Sequence, residues 1–288
     1  MAKFTLQSMD FTKRNIVIKK IEPQDFKNLL ASLIEPYDNY TIMLSAGIDS
    51  RSLVFESLEQ NKTFNCCTFR MDNIESKDYL EAKALCDYYN LELIDIKLPS
   101  DVSVLEKDIY DLKLLGCNSK TDFECFWPFY YAYKEIKNDT LMTGLAADGH
   151  FCLSKKGMIH FKDTRIDEFR TTYFDKPNAA QRQIHLDYCK GINKTHVMPF
   201  LEQEMVDLFL GTSWDDLNKP FQKSIIVYAY KEYFDKVKVY KHTNLQKGDS
   251  GISDHFEKLL DTTLNTNKFK SVISIFNRLP SKRVKRLF

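Results

Sequence analysis

The chain has 288 residues, 43% of them hydrophobic, so it is long enough and apolar enough to bury a core in one large or two small domains. Its 41 Lys and Arg residues nearly balance 40 Asp and Glu residues, which gives no general electrostatic case for binding nucleic acid or an anionic membrane. The N-terminus lacks the apolar region of a signal peptide, and no apolar run approaches the roughly 18 residues of a membrane span, so we expect a cytoplasmic protein without a membrane partner.

Seven cysteines and six histidines limit the redox and metal chemistry that the chain can support. An odd number of cysteines in a chain of this length does not indicate a disulfide framework, which fits a reducing cytoplasm. No Cys-x-x-Cys pair occurs, and only His185 and Cys189 stand at ligand-like positions i and i+4. We therefore predict no structural zinc site.

Apolar patterning predicts alternating helices and strands in the first half of the chain. A helix over 26–34 ends near Pro36, because helices seldom continue through proline. Because parallel strands need crossover connections, the alternation that follows predicts a doubly wound α/β fold with a mostly parallel sheet. The predicted strands are YTIML (40–44), TFNCCTF (63–69), LELIDIKL (91–98) and TLMTG (140–144), and the helices between them are SRSLVFESLEQ (50–60), SKDYLEAKALCDYYN (76–90) and the aromatic FWPFYYAYKEIKN (126–138), which is broken or begun around Pro128.

The second half carries weaker signals. Residues 151–190 are polar without a clear period, residues 199–239 have helical patterning, and the closing SKRVKRLF indicates a basic, solvated tail, with a contact to an acidic partner as the alternative. We divide the chain into an N-terminal lead and helix (1–36), a central domain (37–255) whose mainly helical part begins near residue 195, and a basic C-terminal tail (256–288). Ligands of a doubly wound sheet bind at the carboxyl ends of its strands, so we expect the site in the loops there.

The segment TIMLSAGIDSRSL (41–53) passes from a strand through a short loop into a helix. Such a loop exposes unpaired backbone N–H groups and the positive end of the helix dipole, which together attract phosphate. Gly47 allows close backbone approach, while Ser45 and Ser50 offer hydroxyl groups. Asp49 is suited to a magnesium ion that grips the phosphates. The Gly-Lys-Ser/Thr of a Walker A motif is absent, and by itself the loop is equally an ordinary turn.

The hexapeptide SAGIDS (45–50) resembles the Ser-Gly-Gly-x-Asp-Ser pyrophosphate loop of the PP-loop ATP pyrophosphatases, which cleave ATP between the α and β phosphates. Four further segments resemble, in the same order, the synthetase domain of asparagine synthetase and β-lactam synthetase. They are TLMTGLAADGHF (140–151) for the Gly-x-Gly-x-Asp-Glu-x-Phe segment, MPFLEQEMVDLFL (198–210) for the Pro-Phe-Leu-Asp helix start, KPFQKSIIVYAY (219–230) for the Lys-rich helix, and LQKGDSG (245–251) for the Gln-Lys stretch.

This resemblance, over roughly residues 25 to 255, implies an adenine nucleotide alpha hydrolase-like (HUP) fold with ATP and Mg²⁺ as cofactors. Asp49 and Asp148 would share a magnesium ion that bridges the phosphates, although a helix cap and a turn are common alternative uses of aspartate. Lys247 would stabilise the charge that grows on the phosphates, its alternative being an exposed lysine in a polar loop.

Further nucleotide contacts follow from the resemblance. The loop residues Ser45, Ala46, Gly47, Asp49 and Ser50 would surround the phosphates. Adenine would meet the ends of the first, second and fourth strands, around Leu44, Phe69 and Gly144, although Leu44 and Phe69 are equally good core residues.

The chain departs from the family pattern at several positions. Ala46 replaces the middle glycine of the loop, and if the backbone there needs positive φ its Cβ costs roughly 1 kcal/mol. Leu145 stands where the related enzymes have a glutamate or a tyrosine associated with deprotonating the attacking amine, and leucine cannot take a proton. Gly149 and His150 replace the glutamate after the metal aspartate. Because imidazole titrates near pH 6.5, His150 is a candidate base, the alternative being a histidine satisfied by backbone groups or partly exposed.

We therefore predict an AMP- and pyrophosphate-forming ligase that adenylylates a carboxylate or similar oxygen and transfers it to an amine. No glutaminase domain with an N-terminal cysteine nucleophile is recognisable, so we do not expect glutamine-fed asparagine synthesis by this chain alone. A small-molecule or carrier-bound carboxylate, and a partner protein that delivers the amine, would account for these absences.

Two other classes stay open. A PP-loop sulfur transferase acting on tRNA or a small molecule commonly needs a reactive cysteine pair, but Cys66 and Cys67 lie in a predicted buried strand and the charge balance shows no basic face for tRNA. A catalytically degenerate nucleotide-binding module is suggested by Ala46, Leu145 and the altered loop around His150.

Overall fold

The computed structural model describes residues 18–162, 165–176, 179–238 and 250–264. Residues 1–17 of the predicted lead, Lys247, and residues 265–288 of the predicted tail lie outside these ranges. The three-part division of the chain stays a prediction.

A five-stranded parallel sheet forms the centre of the fold, in the order β3-β2-β1-β4-β5. Its strands are β1 (Tyr40–Met43), β2 (Phe64–Met71), β3 (Leu93–Leu98), β4 (Thr140–Met142) and β5 (Thr195–Val197). The chain starts at the central strand, adds two strands on one side and then two on the other, and every pairing is parallel. This confirms the predicted doubly wound α/β fold. The strand order reverses between β1 and β4, which is where such sheets leave a crevice at their carboxyl ends.

The described helices flank this sheet and continue beyond its last strand. In chain order they are α1 (Pro23–Ile34), α2 (Ile48–Glu59), α3 (Lys77–Tyr89), α4 (Val102–Leu114), α5 (Lys120–Glu135), α6 (Ala147–Phe151), α7 (Lys155–His160), α8 (Ile166–Phe174), α9 (Arg182–Gly191), α10 (Gln203–Phe209), α11 (Trp214–Asn218), α12 (Ser224–Ala229), α13 (Lys231–Phe234) and α14 (Ile252–Leu264). Apart from the edge strand β5, the part described after residue 151 is helical, as the patterning of 199–239 predicted. None of the described helices is long and apolar enough to cross a membrane.

The aromatic helix α5 differs from its prediction. It neither breaks nor begins at Pro128 but starts after Ser119 and runs on to Glu135. A reciprocal capping box sets its start, because Ser119 accepts from the backbone of Asp122 while the Asp122 carboxylate accepts from the backbone of Ser119. Its buried aromatic side chains, including Trp127, offset the roughly 3 kcal/mol that an interior proline costs.

The two faces of the sheet carry separate cores. All four residues of β1 are buried, and successive side chains point to opposite faces. Ile42 packs with residues of α1, α2, α3, α10 and α12 in the first core. Met43 packs with residues of α4, α5, α9 and α14 in the second. With both faces covered, only the edges of the sheet at the strand ends remain for a site.

Two histidines are buried between the sheet and the helices of the second core. The Tyr133 hydroxyl lies 2.8 Å from Nδ1 of His185, and the Thr143 hydroxyl lies 2.9 Å from Nε2 of His196. Burial lowers the pKa of His196 to about 3, and burial together with the neighbouring His196 lowers the pKa of His185 well below its usual value. Both side chains are therefore neutral in the folded protein near neutral pH.

This burial predicts acid destabilisation that starts near the pKa of a histidine in the unfolded chain. The unfolded chain takes up protons at pH values where the folded chain does not, so the stabilisation present above about pH 6.5 is lost as the pH falls. Each histidine contributes up to about 1.4 kcal/mol per pH unit. We expect urea unfolding at pH values from about 6.5 down to about 5 to show this slope.

A histidine replacement tests the assignment. The His196→Gln variant is expected to show a shallower slope, and the exposed His160→Gln is the matched control that keeps the wild-type slope. Equal slopes in wild type and His196→Gln would contradict the assignment.

Candidate functional site

The loop between β1 and α2 is held by its own hydrogen bonds. The Ser45 N–H donates to Oγ of Ser50 at 3.0 Å, and the two serine Oγ atoms lie 3.0 Å apart. The Gly47 N–H donates to Oγ of Ser45 at 3.1 Å. Gly47 is the N-cap of α2 and is exposed, so the loop presents the start of the helix at the carboxyl end of β1.

A neighbouring helix also holds this loop. The Ala46 N–H donates to Oδ1 of Asp78, in the first turn of α3, at 2.8 Å. Among the described residues, those with positive φ other than glycine do not include Ala46, so replacement of the family glycine by alanine causes no backbone strain here. Asp78 is thus a positioning residue for the loop that the sequence analysis did not identify.

The second part of the site follows β4. The Thr143 N–H donates to the Val197 carbonyl at 3.1 Å, after which the chain turns at Gly144 and Ala146 has a left-handed φ of 70° before α6 begins. Asp148 lies in the first turn of α6. Because an L-residue pays roughly 1–2 kcal/mol for the left-handed region, this turn is held by its surroundings rather than by local preference.

Gly144 permits the close approach of the two loops. A Cβ at this position would lie 3.0 Å from Cβ of Asp49, 3.1 Å from its carbonyl carbon and 3.1 Å from the backbone nitrogen of Ser50. The end of β4 therefore packs directly on the first turn of α2. This contact brings the carboxylates of Asp49 and Asp148 to one edge of the sheet.

The two carboxylates share one cation, the ammonium group of Lys223. Its Nζ lies 2.5 Å from Oδ2 of Asp49 and 2.6 Å from Oδ1 of Asp148. The Lys223 side chain is 3% exposed, whereas those of Asp49 and Asp148 are 17% and 43% exposed. The ammonium group is thus the most buried member of the cluster, and Asp148 is the most exposed.

Electrostatics keep Lys223 charged despite its burial. Burial lowers the pKa of this lysine, but the negative charges of Asp148 and Asp49 and their hydrogen bonds outweigh the effect and raise it to about 12. The ring of Phe151, with its centroid 5.5 Å from Nζ, forms another side of the ammonium position. A buried charge of this kind is stable only while its partners remain ionised.

The backbone of Lys223 is fixed by a buried asparagine. The Lys223 N–H donates to Oδ1 of Asn218 at 3.1 Å, and the Asn218 amide donates to the carbonyls of Phe151 at 3.2 Å and Trp214 at 3.1 Å. Lys223 has a left-handed φ of 58° and is the N-cap of α12. Asn218 therefore ties the lysine to the end of α6, the helix that carries Asp148.

Sequence reasoning missed Lys223, although a signal existed. It is the last charged residue before the apolar run SIIV (224–227), so it stands at the start of a helix, where the helix dipole disfavours a cation. A lysine in that position needs nearby carboxylates. The resemblance directed attention instead to Lys247, which lies outside the described residues, so its role stays a prediction.

Arg51 anchors the end of the described range 179–238 beside α2. Arg51 in α2 donates from Nη1 to the carbonyl of Lys238 at 2.7 Å and from Nη2 to Oε2 of Glu81 in α3 at 3.1 Å. Its side chain is 1% exposed. Lys238 is the last residue of the described range 179–238.

His150 is buried among aromatic side chains. Its ring is fully buried between Phe174 and Phe209, with centroids 4.5 and 4.6 Å away, and Nε2 lies 2.8 Å from the Phe200 carbonyl. Burial lowers the pKa of His150 to about 3. This geometry is a correction to the predicted catalytic base, since it supports the alternative of a histidine satisfied by a backbone group.

The neighbouring Gly149 has a packing role. A Cβ there would lie 2.5 Å from ring atoms of Tyr173 in α8, so glycine at this position allows α8 to approach α6. The departure from the family glutamate thus belongs to helix packing.

The three predicted adenine contacts have different surroundings. Leu44 is buried in the first core, and its N–H donates to the Cys67 carbonyl at 2.7 Å. Phe69 is half-buried and packs edge-on against Phe129, with centroids 5.6 Å apart. Gly144 contacts α2, as described above. Core packing explains the burial of Leu44 and the partial burial of Phe69. Contact of either residue with adenine stays a prediction.

The residues present fit a hydrated divalent cation held jointly with phosphates. The described part of the chain contains no group of three or more His, Cys, Asp or Glu residues able to hold a metal alone. Magnesium, however, usually binds through one or two carboxylates together with water and substrate phosphates. Asp49 and Asp148 already enclose a cation position, which the ammonium group of Lys223 fills.

No protein-family model and no curated protein sequence matches the chain. Among solved structures, it is similar to NMN synthetase from Francisella tularensis, with 14% identity and a TM-score of 0.34 over 78% of this chain and 100% of that one. It is also similar to the U34-tRNA thiolase NcsA from Methanococcus maripaludis, solved with its 4Fe-4S cluster, with 15% identity and a TM-score of 0.32 over 83% of this chain and 80% of that one. Because these identities and TM-scores are low, the fold assignment rests on the strand order of this chain.

The close packing at Gly144 predicts that one added methyl group at this position reduces both stability and nucleotide binding. Gly144→Ala should separate β4 from α2, lower the free energy of unfolding by about 1–3 kcal/mol and weaken binding of Mg²⁺ with ATP. Urea unfolding and calorimetric titration measure the two effects.

Gly157→Ala is the matched control. Its Cβ would lie 2.7 Å from Sγ of Cys152, so this position within α7 is also crowded. It should lose stability but keep nucleotide affinity, and an equal loss of affinity in both variants would contradict the specific role of Gly144.

Proposed function

We propose that this chain is an ATP-using enzyme of the PP-loop kind that cleaves ATP between the α and β phosphates. The observation that carries this proposal is the convergence of Asp49 and Asp148 on one cation position. These residues follow β1 and β4, the two strands between which the sheet order reverses. A loop with the SAGIDS pattern lies at the same edge, so the phosphate-binding and metal-binding elements come together.

The finer proposal is an AMP-forming ligase. A substrate carboxylate oxygen attacks the α phosphorus, the bond from that phosphorus to the α,β-bridging oxygen breaks, and pyrophosphate leaves. An amine then attacks the acyl carbon, loses a proton, and expels AMP. The start of α2 favours the phosphates in this role, since a helix N-terminus attracts anions.

Asp49 and Asp148 would hold Mg²⁺, which supplies charge neutralisation to the departing pyrophosphate when bound. Lys223 and, as a proposal, Lys247 add positive charge at the same edge. Lys223 is ammonium at neutral pH, so it can stabilise phosphate oxygens but not accept a proton from the amine.

At position 145, where the related enzymes have a glutamate or a tyrosine, this chain has no group that can deprotonate the amine. Leu145 is half-buried and packs against two separate clusters of buried apolar side chains. His150 is buried in the core. We therefore propose that the amine arrives with its own route for the proton, from a partner protein or in a small-molecule or carrier-bound substrate complex.

The cysteines favour ligation over sulfur transfer. All seven lie within the described residues, and none forms a disulfide. Burial raises the pKa of Cys152 to about 11 and of Cys125 and Cys189 to about 12, while Cys67 is fully buried with a raised pKa. Thiols of this kind carry little thiolate at neutral pH, and sulfur transfer needs a reactive thiolate.

Exchange of labelled pyrophosphate into ATP tests the proposal. Wild-type protein with Mg²⁺ and fractionated small-molecule extract should show substrate-dependent exchange, because adenylylation is reversible. Asp49→Asn should reduce the exchange rate by about 100-fold or more, since one of the two carboxylates that enclose the cation is neutralised.

Asp215→Asn is the matched control. Asp215 is an exposed aspartate whose Oδ2 lies 2.5 Å from Nζ of Lys219, so the variant removes an aspartate–lysine pair away from the strand edge. It should keep the wild-type exchange rate. Exchange that survives in Asp49→Asn would count against the proposed site, and nucleotide binding without exchange in any fraction would favour a degenerate binding module.

A further inference from the structure

We infer that Lys223 is a specificity-determining residue that prevents the site from binding free divalent cations and admits the metal only together with the nucleotide. This inference rests on the proposed function. Its basis is that the same carboxylate pair that would hold the metal is already bridged by an internal cation.

The geometry makes Lys223 and a metal ion competitors. Its Nζ lies within 2.6 Å of an oxygen of both Asp49 and Asp148, which come from two different loops. The Lys223 side chain approaches the carboxylates from the protein interior and is 3% exposed. The Asp148 side chain is 43% exposed. A metal ion that bound these two oxygens would have to displace the ammonium group from the position between them.

The charges then decide which metal species enters. The two carboxylates carry two negative charges, and Lys223 pairs with both of them through one positive charge. A bare divalent cation would place three positive charges against these two, or leave the buried ammonium without a partner, which is costly. A metal–nucleotide complex brings phosphate oxygens of its own, so Lys223 exchanges carboxylate partners for phosphate partners.

The chain allows this exchange through the side chain alone. The backbone of Lys223 is fixed by Asn218 and by its position as the N-cap of α12. The four-carbon stem of lysine is flexible, and its ammonium group rotates freely among acceptors. The ammonium group of Lys223 can therefore turn from the carboxylates to bound phosphates without movement of α11, which carries Asn218, or of α12.

Manganese binding to the full chain tests this inference. Free Mn²⁺, measured by the amplitude of its electron paramagnetic resonance signal, is titrated with wild type and with Lys223→Met. Without nucleotide, Lys223→Met should bind Mn²⁺ about 100-fold more tightly than wild type, the factor expected for breaking a buried ion pair. With α,β-methylene-ATP present, wild type should remove more free Mn²⁺ than the same concentration of nucleotide removes without protein.

Two control variants show whether the gained affinity belongs to the carboxylate pair. Lys219→Met removes an exposed lysine that pairs with Asp215 and should bind free Mn²⁺ as weakly as wild type. The double variant Asp148→Asn with Lys223→Met should lose the gained affinity, and retention of that affinity would place the metal elsewhere and overturn the inference.

The outcomes separate the inference from the proposed function. Equal affinity of wild type and Lys223→Met for free Mn²⁺, with nucleotide-dependent binding intact, would overturn the inference alone. If wild type binds no Mn²⁺ even in the presence of nucleotide, the proposed function is wrong. If Lys223→Met fails to fold, wild type decides: affinity for free Mn²⁺ as high as in the presence of nucleotide would overturn the inference.

Discussion

One ion cluster, formed by the buried Lys223 with Asp49 and Asp148, joins the separate parts of this fold. Asp49 belongs to α2 after the central strand, Asp148 to α6 after β4, and Lys223 to the start of α12. A buried ammonium group without carboxylates would be strongly destabilising, and so would two close carboxylates without a cation. The cluster therefore links the sheet edge to the helical second half of the chain by a requirement for charge balance.

The packing around the cluster follows from small residues at two contacts. Gly144 lets the end of β4 touch the first turn of α2, and Gly149 lets α8 approach α6. Arg170, fully buried in α8, donates to the carbonyls of His150 and Thr212 at 2.9 and 2.8 Å. Gly149 and Arg170 thus contribute to the packing that positions Asp148.

Much of the sheet and part of the site could be predicted from the sequence. The strands β1 to β4 are apolar runs long enough to identify, and parallel topology then requires Asp49 and Asp148 to meet at one edge. The edge strand β5 is as short as β4, but it begins with an exposed threonine and contains a histidine, so it has no apolar run and went unpredicted. The local sequence marks Lys223 as a lysine at a helix start but does not identify Asp49 and Asp148 as its partners, and the burial of His150 depends on aromatic rings that are distant in sequence.

Calorimetric titration with Mg²⁺ and α,β-methylene-ATP tests the central claim, that this cluster is a metal–nucleotide site, most directly. We expect wild type to bind the nucleotide only when Mg²⁺ is present, and we expect Asp148→Asn, with its fold confirmed by circular dichroism, to lose this binding. Binding of equal strength by wild type and Asp148→Asn, or binding by wild type that does not depend on Mg²⁺, would contradict the claim.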